Sequence, residues 1–548
     1  MPATRVTVAL NAKQSQKAPL LIPASTSLSS IQEVVFKTAK TKLRLKKPTR
    51  IFVGGSGQEL LSEEDWARHV CDDITLLVSA GEEFVGVRKE GKQHVDSNAE
   101  CPVYILAQKA PVDELSVTQV ETTAHTLPGI IHAVGQPDLH PGTKFPIGAV
   151  FVSRKWVHPP LIGSDIGCGM AWYHTKLSRS QVDGDKGKKI AEKLRGLEGS
   201  WRKQADREQW LLDRAGSCSA GEQWDSALGT IGAGNHFAEI QVVESSSIPP
   251  GSEVELKQDE VILLVHSGSR GYGSILKKYT SGSHISLEEG SQQMQEYMEE
   301  HDKACRWAKA NRNLIAVRFL SCLEPGEEAW ELGRNTPQTG FCDADAISYA
   351  KSKIAERQVV DILHNNVQRV KWPPAPPPPS AASMPALEVG LSNVALEPGE
   401  TAVVEHVYIH RKGAAPTYDP GTNLPLALLP LPGSRATPTI ILKPQFTVAS
   451  SWGLKNALSL AHGAGRSMSR AKALSSLSQK YRNQNLLEPG SGTGTWVICD
   501  EKDLVFEEAP DAYKDVYAVS DDLVREGVAE VVGWCQTRVS YKVRNEAR

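Results

Sequence analysis

The sequence predicts an α+β fold with a mixed α/β body, on three observations. From about residue 100, short glycine-bounded apolar runs such as PIGAVFVSR, VILLVHSGSRGYG, AVVEHVYIHRKG and TPTIILKP have the length and β-branched content of strands. Helical segments alternate with them, and ISLEEGSQQMQEYMEEHDKACRWAKANRNL has the spacing of one long helix. Finally, 548 residues that are 40% hydrophobic and 23% charged are enough to bury a sizeable core.

The first 85 residues have a different texture. RVTVAL alternates like a strand, SLSSIQEVVFKTAKTKL is helical in spacing, and RIFVGG and DITLLVSAG read as further strands. That order resembles a β-grasp (ubiquitin-like) module over residues 1–85, followed by a linker at 86–104 and the main body at 105–548. KLRLKKPTR within the module is a basic cluster that reads as a solvated loop. Two segments are expected to interrupt the body. WPPAPPPPSAASMPALEVG (372–390) reads as an extended surface insertion, and NLPLALLPLPG (423–433) is rich in Pro and Leu.

Composition excludes several classes. A formal net charge of −3 means that nucleic acid would be held by a local patch rather than by the field of the whole molecule. No apolar run approaches the roughly 18 residues of a membrane span, and MPATRVTVALNAKQ has no secretory h-region. The expected location is intracellular, in the cytoplasm or the nucleus. Nine scattered cysteines without a CxxC pair argue against a disulfide framework or a Cys-rich zinc module.

Several polar groups sit beside glycines and at the ends of apolar runs. GSDIGCGMAWYH (163–174) places Asp165, Cys168 and His174 in a glycine-loosened run, and VILLV (261–265) delivers His266 at its carboxyl end, where ligands collect in open α/β sheets. GTIGAGNHFAEIQ (229–241) presents Asn235 and His236 after a glycine loop. It then alternates, with Asn235, Phe237 and Glu239 on one side and His236 and Ala238 on the other. VDILHNNV (360–367) offers His364, with Asn365 and Asn366, at a helix end. Singly, each histidine reads as a structural residue. Together, one carboxylate, one thiolate and three imidazoles make a mixed donor set for first-row metals, in which the sulfur can bridge two ions.

LAHGAGRSMSRAKALSSLSQK (460–480) has the form of a phosphate site. His462 precedes Gly463 and Gly465, and Arg466, Arg470 and Lys472 stand near the start of a helical run. A neutral imidazole there could attack the α-phosphorus of a nucleoside triphosphate to give a phosphoramidate. A helix-capping loop is the alternative reading.

DLHPGTKFPIGAV, GSDIGCGMAW, GAGNHFAEIQ, VHSGSRGYG, LHNNV, HRKGA, LPGS, AHGAGRSMSR, EAPDAYKD and a C-terminal YKVR follow one another in an order that resembles the RtcB family of RNA ligases, over about residues 105–548. The resemblance implies an α+β architecture around a metal-lined cleft. It also implies joining of RNA 3′-phosphate or 2′,3′-cyclic phosphate ends to 5′-hydroxyl ends with GTP and two Mn²⁺ ions, through a guanylylated histidine. By motif, Asp165, Cys168, His236, His266 and His364 fall on the metal ligands and His462 on the guanylylated histidine. Asn235, Glu239, Ser434, Tyr513 and Lys542 fall on guanylate contacts, Asp138 and His140 on a DxH motif near the metals, and Arg270 on an arginine that meets RNA or pyrophosphate charge. The implied partner is RNA, such as tRNA halves or cleaved RNA; an archease-type activator and a protein partner for the amino-terminal module are left open.

The sequence departs from the commoner family pattern in places. DLHPGTKFPIG and SDIGCG resemble a branch associated with release-factor-H-like proteins and RNA repair. After LPGS, Arg435-Ala436 replaces a usual Met-Gly and adds bulk and charge where a glycine turn would approach nucleotide. Two rivals stand beside the ligase reading. One is a metal-dependent RNA phosphodiesterase or cyclic phosphatase without ligation; the other is a binding protein built on a relic of the ligase body.

Overall fold

The computed structural model describes residues 4–14, 16–22, 28–54, 57–70, 74–82, 84, 101–252, 254–279, 286–334, 344–372, 405–419, 424–489 and 494–542. The chain forms two compact units, Met1–Asp96 and Ser97–Arg548. The Pro-rich segment after Trp372 lies outside the described residues, as does most of the expected linker.

In the first unit, the strands Lys17–Ile22, Thr4–Leu10, Ile74–Ser79 and Arg50–Val53 lie side by side in that order, the central pair parallel and the outer pairs antiparallel. The helix Leu28–Lys42 crosses them and buries Ile31, Val35 and Ala39, one residue per turn, against Val6, Val8, Leu76 and Val78. A short helix, Glu63–His69, starts with a Ser62–Asp65 capping box and buries Trp66.

The second unit is built on an eight-stranded sheet. Its strands run Gln358–Leu363, Gly169–Ser178, Glu260–Ser267, Phe237–Ser246, Ala529–Tyr541, Thr439–Pro444 and Leu429–Pro432, with Trp496–Ile498 added in parallel against Ala529–Tyr541. Both faces are covered, and the alternation along VILLV shows how. Val261, Leu263 and Val265 pack on one side with Trp307, Leu314 and Ile315 of the long helix Gln292–Leu323, while Ile262 and Leu264 pack on the other with Val519 and Leu523 of the helix Val516–Arg525. All five are fully buried, each worth about 1.5–3 kcal/mol of transfer free energy.

A second, five-stranded sheet has the order Asn365–Trp372, Glu405–Lys412, Ile147–Ser153, Ile130–His140 and Val103–Ile105. His364 stands between the last residue of one sheet and the first of the other.

Two local expectations are corrected. His364 is not at a helix end: the preceding helix stops at Arg357, and Val359, Val360 and Ile362 carry the chain on as a strand paired with Gly169–Tyr173. Nor does all of 423–433 interrupt the body, because Leu429–Pro432 is the edge strand of the main sheet with its four residues buried. Pro430 and Pro432 lack a backbone donor, which an edge strand tolerates.

Candidate metal and nucleotide site

Four neighbouring antiparallel strands bring the predicted donors to one edge of the main sheet. His364 follows Gln358–Leu363, Cys168 precedes Gly169–Ser178, His266 is near the end of Glu260–Ser267, and His236 precedes Phe237–Ser246. Because alternate strands run in opposite directions, two strand ends and two strand starts share that edge. Register fixes the match: Leu363 and Ser267 both lie opposite Gly169, and Phe237 lies opposite His266. Gly167, at φ 71°, turns the Asp165–Cys168 loop against the long helix; a Cβ there would stand 3.0 Å from Cys305 Cα.

The five donors form two groups that share Cys168. Asp165, Cys168 and His236 offer atoms within 4.8 Å of one another, as do Cys168, His266 and His364. Cys168 Sγ is 3.2 Å from His236 Nε2 and 3.4 Å from His266 Nε2, and the latter is 3.2 Å from His364 Nε2. His174 is not part of this cluster; its ring pairs with Glu260.

Hydrogen bonding tests whether these residues fit a cation. His236 Nδ1 lies 3.1 Å from the Ile231 carbonyl and so carries the proton that it donates. His236 Nε2 faces Asp165 Oδ2 at 2.8 Å and the Cys168 sulfur at 3.2 Å. A proton or a metal ion between them holds such atoms together. Among the described residues, Asp165 Oδ1 and His364 Nδ1 are buried with no hydrogen-bond partner. Burial, with the neighbouring imidazoles, holds His266 and His364 well below the ordinary histidine value, in the neutral form that binds metal. Burial and the Asp165 carboxylate push the Cys168 thiol well above its ordinary value, so a thiolate here needs a cation beside it. The residues fit a two-ion centre bridged by sulfur.

A surrounding layer holds the donors in place. The guanidinium of Arg312, on the long helix, donates through Nη1 to the carbonyls of Gly167 and Ser267, at 2.9 and 3.0 Å, and through Nε to Asp361. Asn365 Nδ2 donates to the Asp165 carbonyl, and its Oδ1 accepts from Gly413 N. Arg312 escaped the sequence reading because an arginine in a helical stretch reads as solvent-facing; this one is buried.

His462 stands against the same cluster, its ring centre 4.5 Å from that of His364 and 6.4 Å from that of His266. Its Nδ1 lies 2.9 Å from Oδ2 of the fully buried Asp138. A carboxylate accepts only, so Nδ1 carries a proton, and in the neutral ring this leaves the lone pair on Nε2. Lys514 donates to the Pro137 and Leu139 carbonyls on either side of Asp138. Gly465, at φ 71°, brings the histidine loop against the Asp138 carbonyl, where a Cβ would come within 2.3 Å. His140 bonds the Asp138 carbonyl through Nδ1 at 2.9 Å, and burial pushes its pKa down to about 4.

Asp165, Cys168, His266, His364 and His462 open into a cavity of about 940 Å³, within the range of small-molecule sites. Asn235, Glu239, Ser434, Tyr513 and Lys542 all line it. Glu239 accepts hydrogen bonds from Ser540, Thr537 and Gln241. Lys542 is 4% exposed, follows the strand Ala529–Tyr541, and its Nζ lies 5.8 Å from the Phe237 ring centre. Arg270 does not line this cavity; its guanidinium packs against Gly232, and Nε donates to Thr230 Oγ1.

Glu508, within the quoted EAPDAYKD, organises this end. It is fully buried, lies 3.0 Å from Arg466 Nη1 and 3.4 Å from Lys542 Nζ, and accepts from the Tyr513 hydroxyl. Burial alone would raise its carboxyl, but Lys542 and Arg466 hold it below the ordinary glutamate value. The sequence contained this residue in a motif but gave no sign of its three partners, which come from residues 466, 513 and 542.

Such an arrangement can bind divalent cations and present a nitrogen nucleophile to a phosphate, the chemistry of phosphoryl- and nucleotidyl-transfer enzymes. The family profile described as tRNA-splicing ligase RtcB matches residues 119–209, 198–332 and 390–543. An RNA-splicing ligase RtcB2 of Escherichia coli is 34% identical over 420 residues, 76% of this chain and 89% of that protein. The tRNA-splicing ligases RtcB of Methanococcus maripaludis and Thermococcus kodakarensis are 24% and 26% identical, covering 72% and 74% of this chain and 85% and 86% of their own. The chain belongs to the RtcB family. The first compact unit lies outside the matched residues.

Proposed function

We propose that this protein is an RNA ligase that joins 3′-phosphate or 2′,3′-cyclic phosphate ends to 5′-hydroxyl ends, with GTP as activating substrate and two Mn²⁺ ions. RNA ligation is the activity for which the family and its named relatives are known. The observation that carries the chemical reading is His462, fixed through Nδ1 by Asp138 and set beside the donor cluster.

Asp165, Cys168 and His236 would hold one ion, and Cys168, His266 and His364 the other. When bound, the ions supply charge neutralisation at the α-phosphate and orientation of the pyrophosphate. His462 Nε2 attacks the α-phosphorus of GTP; an N–P bond forms and the bond to pyrophosphate breaks. Asp138 keeps Nδ1 protonated and stabilises the ring as it becomes positive. An oxygen of the RNA 3′-phosphate then attacks the same phosphorus and the N–P bond breaks, leaving RNA capped by GMP through a pyrophosphate link. The 5′-hydroxyl attacks the RNA phosphorus, GMP leaves, and a phosphodiester remains. A cyclic phosphate enters after water opens it to the 3′-phosphate. Asn235, Glu239, Ser434, Tyr513 and Lys542 hold the guanylate during the first two steps.

The test uses GTP labelled at the α-phosphate, Mn²⁺, a cyclic-phosphate RNA and a 5′-hydroxyl RNA. The expected result is a covalent label on wild-type protein that survives alkaline denaturation and is released by acid, as an N–P bond requires, and a joined RNA, with both absent from His462→Ala. A wild-type protein that opens the cyclic phosphate but takes no label and joins nothing is the phosphodiesterase instead.

A further inference from the structure

Arg435 stands where family members usually have methionine, followed by Ala436 in place of glycine, so its surroundings show what this chain does with the change. The side chain is 3% exposed and lines the cavity next to Ser434. Among the described residues, no acceptor reaches Nη1 or Nη2, and the buried Ser434 hydroxyl is likewise without a partner. A buried guanidinium with two unused donors is costly unless something else in the cavity accepts from it.

Position narrows the occupant. The charged and ionisable groups that act on Arg435 are Cys499, Glu508, Tyr513 and Tyr481. Glu508 is also the partner of Lys542 and accepts from the Tyr513 hydroxyl, so Arg435 belongs to the end of the cavity organised by Glu508. The loop is held in place, with Ala464 N of the histidine loop donating to the Pro432 carbonyl and Ser434 N to Thr437 Oγ1. Under the proposed function the reacting phosphate lies at His462, which leaves the base for the Glu508 end. Guanine offers two adjacent acceptors, O6 and N7, that match the paired Nη donors of an arginine; adenine offers N7 beside an amino group that is itself a donor.

Resting on that reading, we propose that Arg435 is a specificity-determining residue of the nucleotide pocket, donating through Nη1 and Nη2 to O6 and N7 of guanine and so selecting guanine over adenine.

The experiment measures binding to the full chain, with Mn²⁺, of GTP and ATP analogues whose α,β-bridging oxygen is a methylene, so that no covalent step follows. Arg435→Met keeps the length of the side chain and removes a buried charge, a change that cores accept; its melting temperature checks the fold, and Arg435→Lys serves as a second variant. The expected result is that Arg435→Met weakens the guanine analogue roughly tenfold or more, leaves the adenine analogue within about threefold, and still takes label on His462 at saturating GTP. Arg435→Lys should fall between, since an ammonium cannot make the paired contact. Equal weakening of both analogues would assign Arg435 to phosphate and overturn the proposal, as would an unchanged preference. In either case, labelling of wild-type His462 leaves the ligase reading standing. A wild-type chain that binds neither analogue and takes no label removes both.

Discussion

At one end of the cavity, His236 Nε2 faces a carboxylate oxygen and a sulfur, and Asp165 Oδ1 and His364 Nδ1 have no hydrogen-bond partner among the described residues. At the other end, Glu239 accepts from three side chains and Glu508 is surrounded by Arg466, Tyr513 and Lys542. Metal-ligating atoms crowd together in the first region, whereas in the second each of these carboxylates is met by protein donors. The first has the donor set of a cation site, and the second is set in advance of its ligand. The exceptions at the second end are the unused donors of Ser434 and Arg435, and these are what a ligand there would engage.

Removing the donor common to both ion groups should have the largest effect. Cys168→Ala is expected to lower ligation by about 10³-fold or more, with bound Mn²⁺ falling from two ions per chain to one or none by elemental analysis. Two ions retained with full activity would show that the sulfur is not shared. Next, Asp138→Asn removes the negative charge beside His462 and offers Nδ1 an amide donor that favours the other tautomer. Guanylylation should slow by about 10²–10⁴-fold, while the affinity for the methylene analogue of GTP stays within a few fold; an unchanged rate would mean that Nδ1 needs no such acceptor.

At the pre-set end, Glu508→Gln leaves Arg466 and Lys542 without their buried counter-charge and should destabilise the protein by about 3 kcal/mol, read as a lowered melting temperature. The pH dependence has a definite sign. Because the folded carboxyl titrates below the ordinary 4.5, its contribution is fully present above that value and is lost as pH falls through the folded pKa. The gap between wild type and Glu508→Gln should therefore be widest at neutral pH and shrink below about pH 4; a gap that grows on acidification would contradict the assignment. The smallest effect is expected from Ser434→Ala, with one hydroxyl lost to the ligand and none to the protein. It should weaken guanine-analogue binding by roughly fivefold without changing the melting temperature.

Much of the donor set was legible because strand ends announce themselves. VILLV runs into His266 without ambiguity, and the alternation after GAGNH places Phe237 and Glu239 on the side opposite Ala238, as the packing shows. His364 was harder to place. The helix passes into a strand after Arg357 with no Gly or Pro to mark the change, so only Val359, Val360 and Ile362 carried the signal. Leu429–Pro432 looked like an interruption because two prolines conceal a strand whose missing donors an edge position forgives. The supporting groups were least visible. Arg312 finds its partners 45 to 145 residues away and Glu508 finds its own at 5, 34 and 42, and pairing of that kind is set by the assembled fold rather than by local pattern.

The placement of four donors at the tips of four adjacent strands has a consequence for how the molecule comes apart. A cation held by Cys168, His266 and His364 ties the outermost strand, Gln358–Leu363, to its two inner neighbours by a clasp stronger than the hydrogen bonds of the ladder alone. With the ion in place, peeling that strand away must also release the metal. Stripped by a chelator, the protein should fray first at this edge, with amide exchange accelerating in 358–363 before it does so in 261–265.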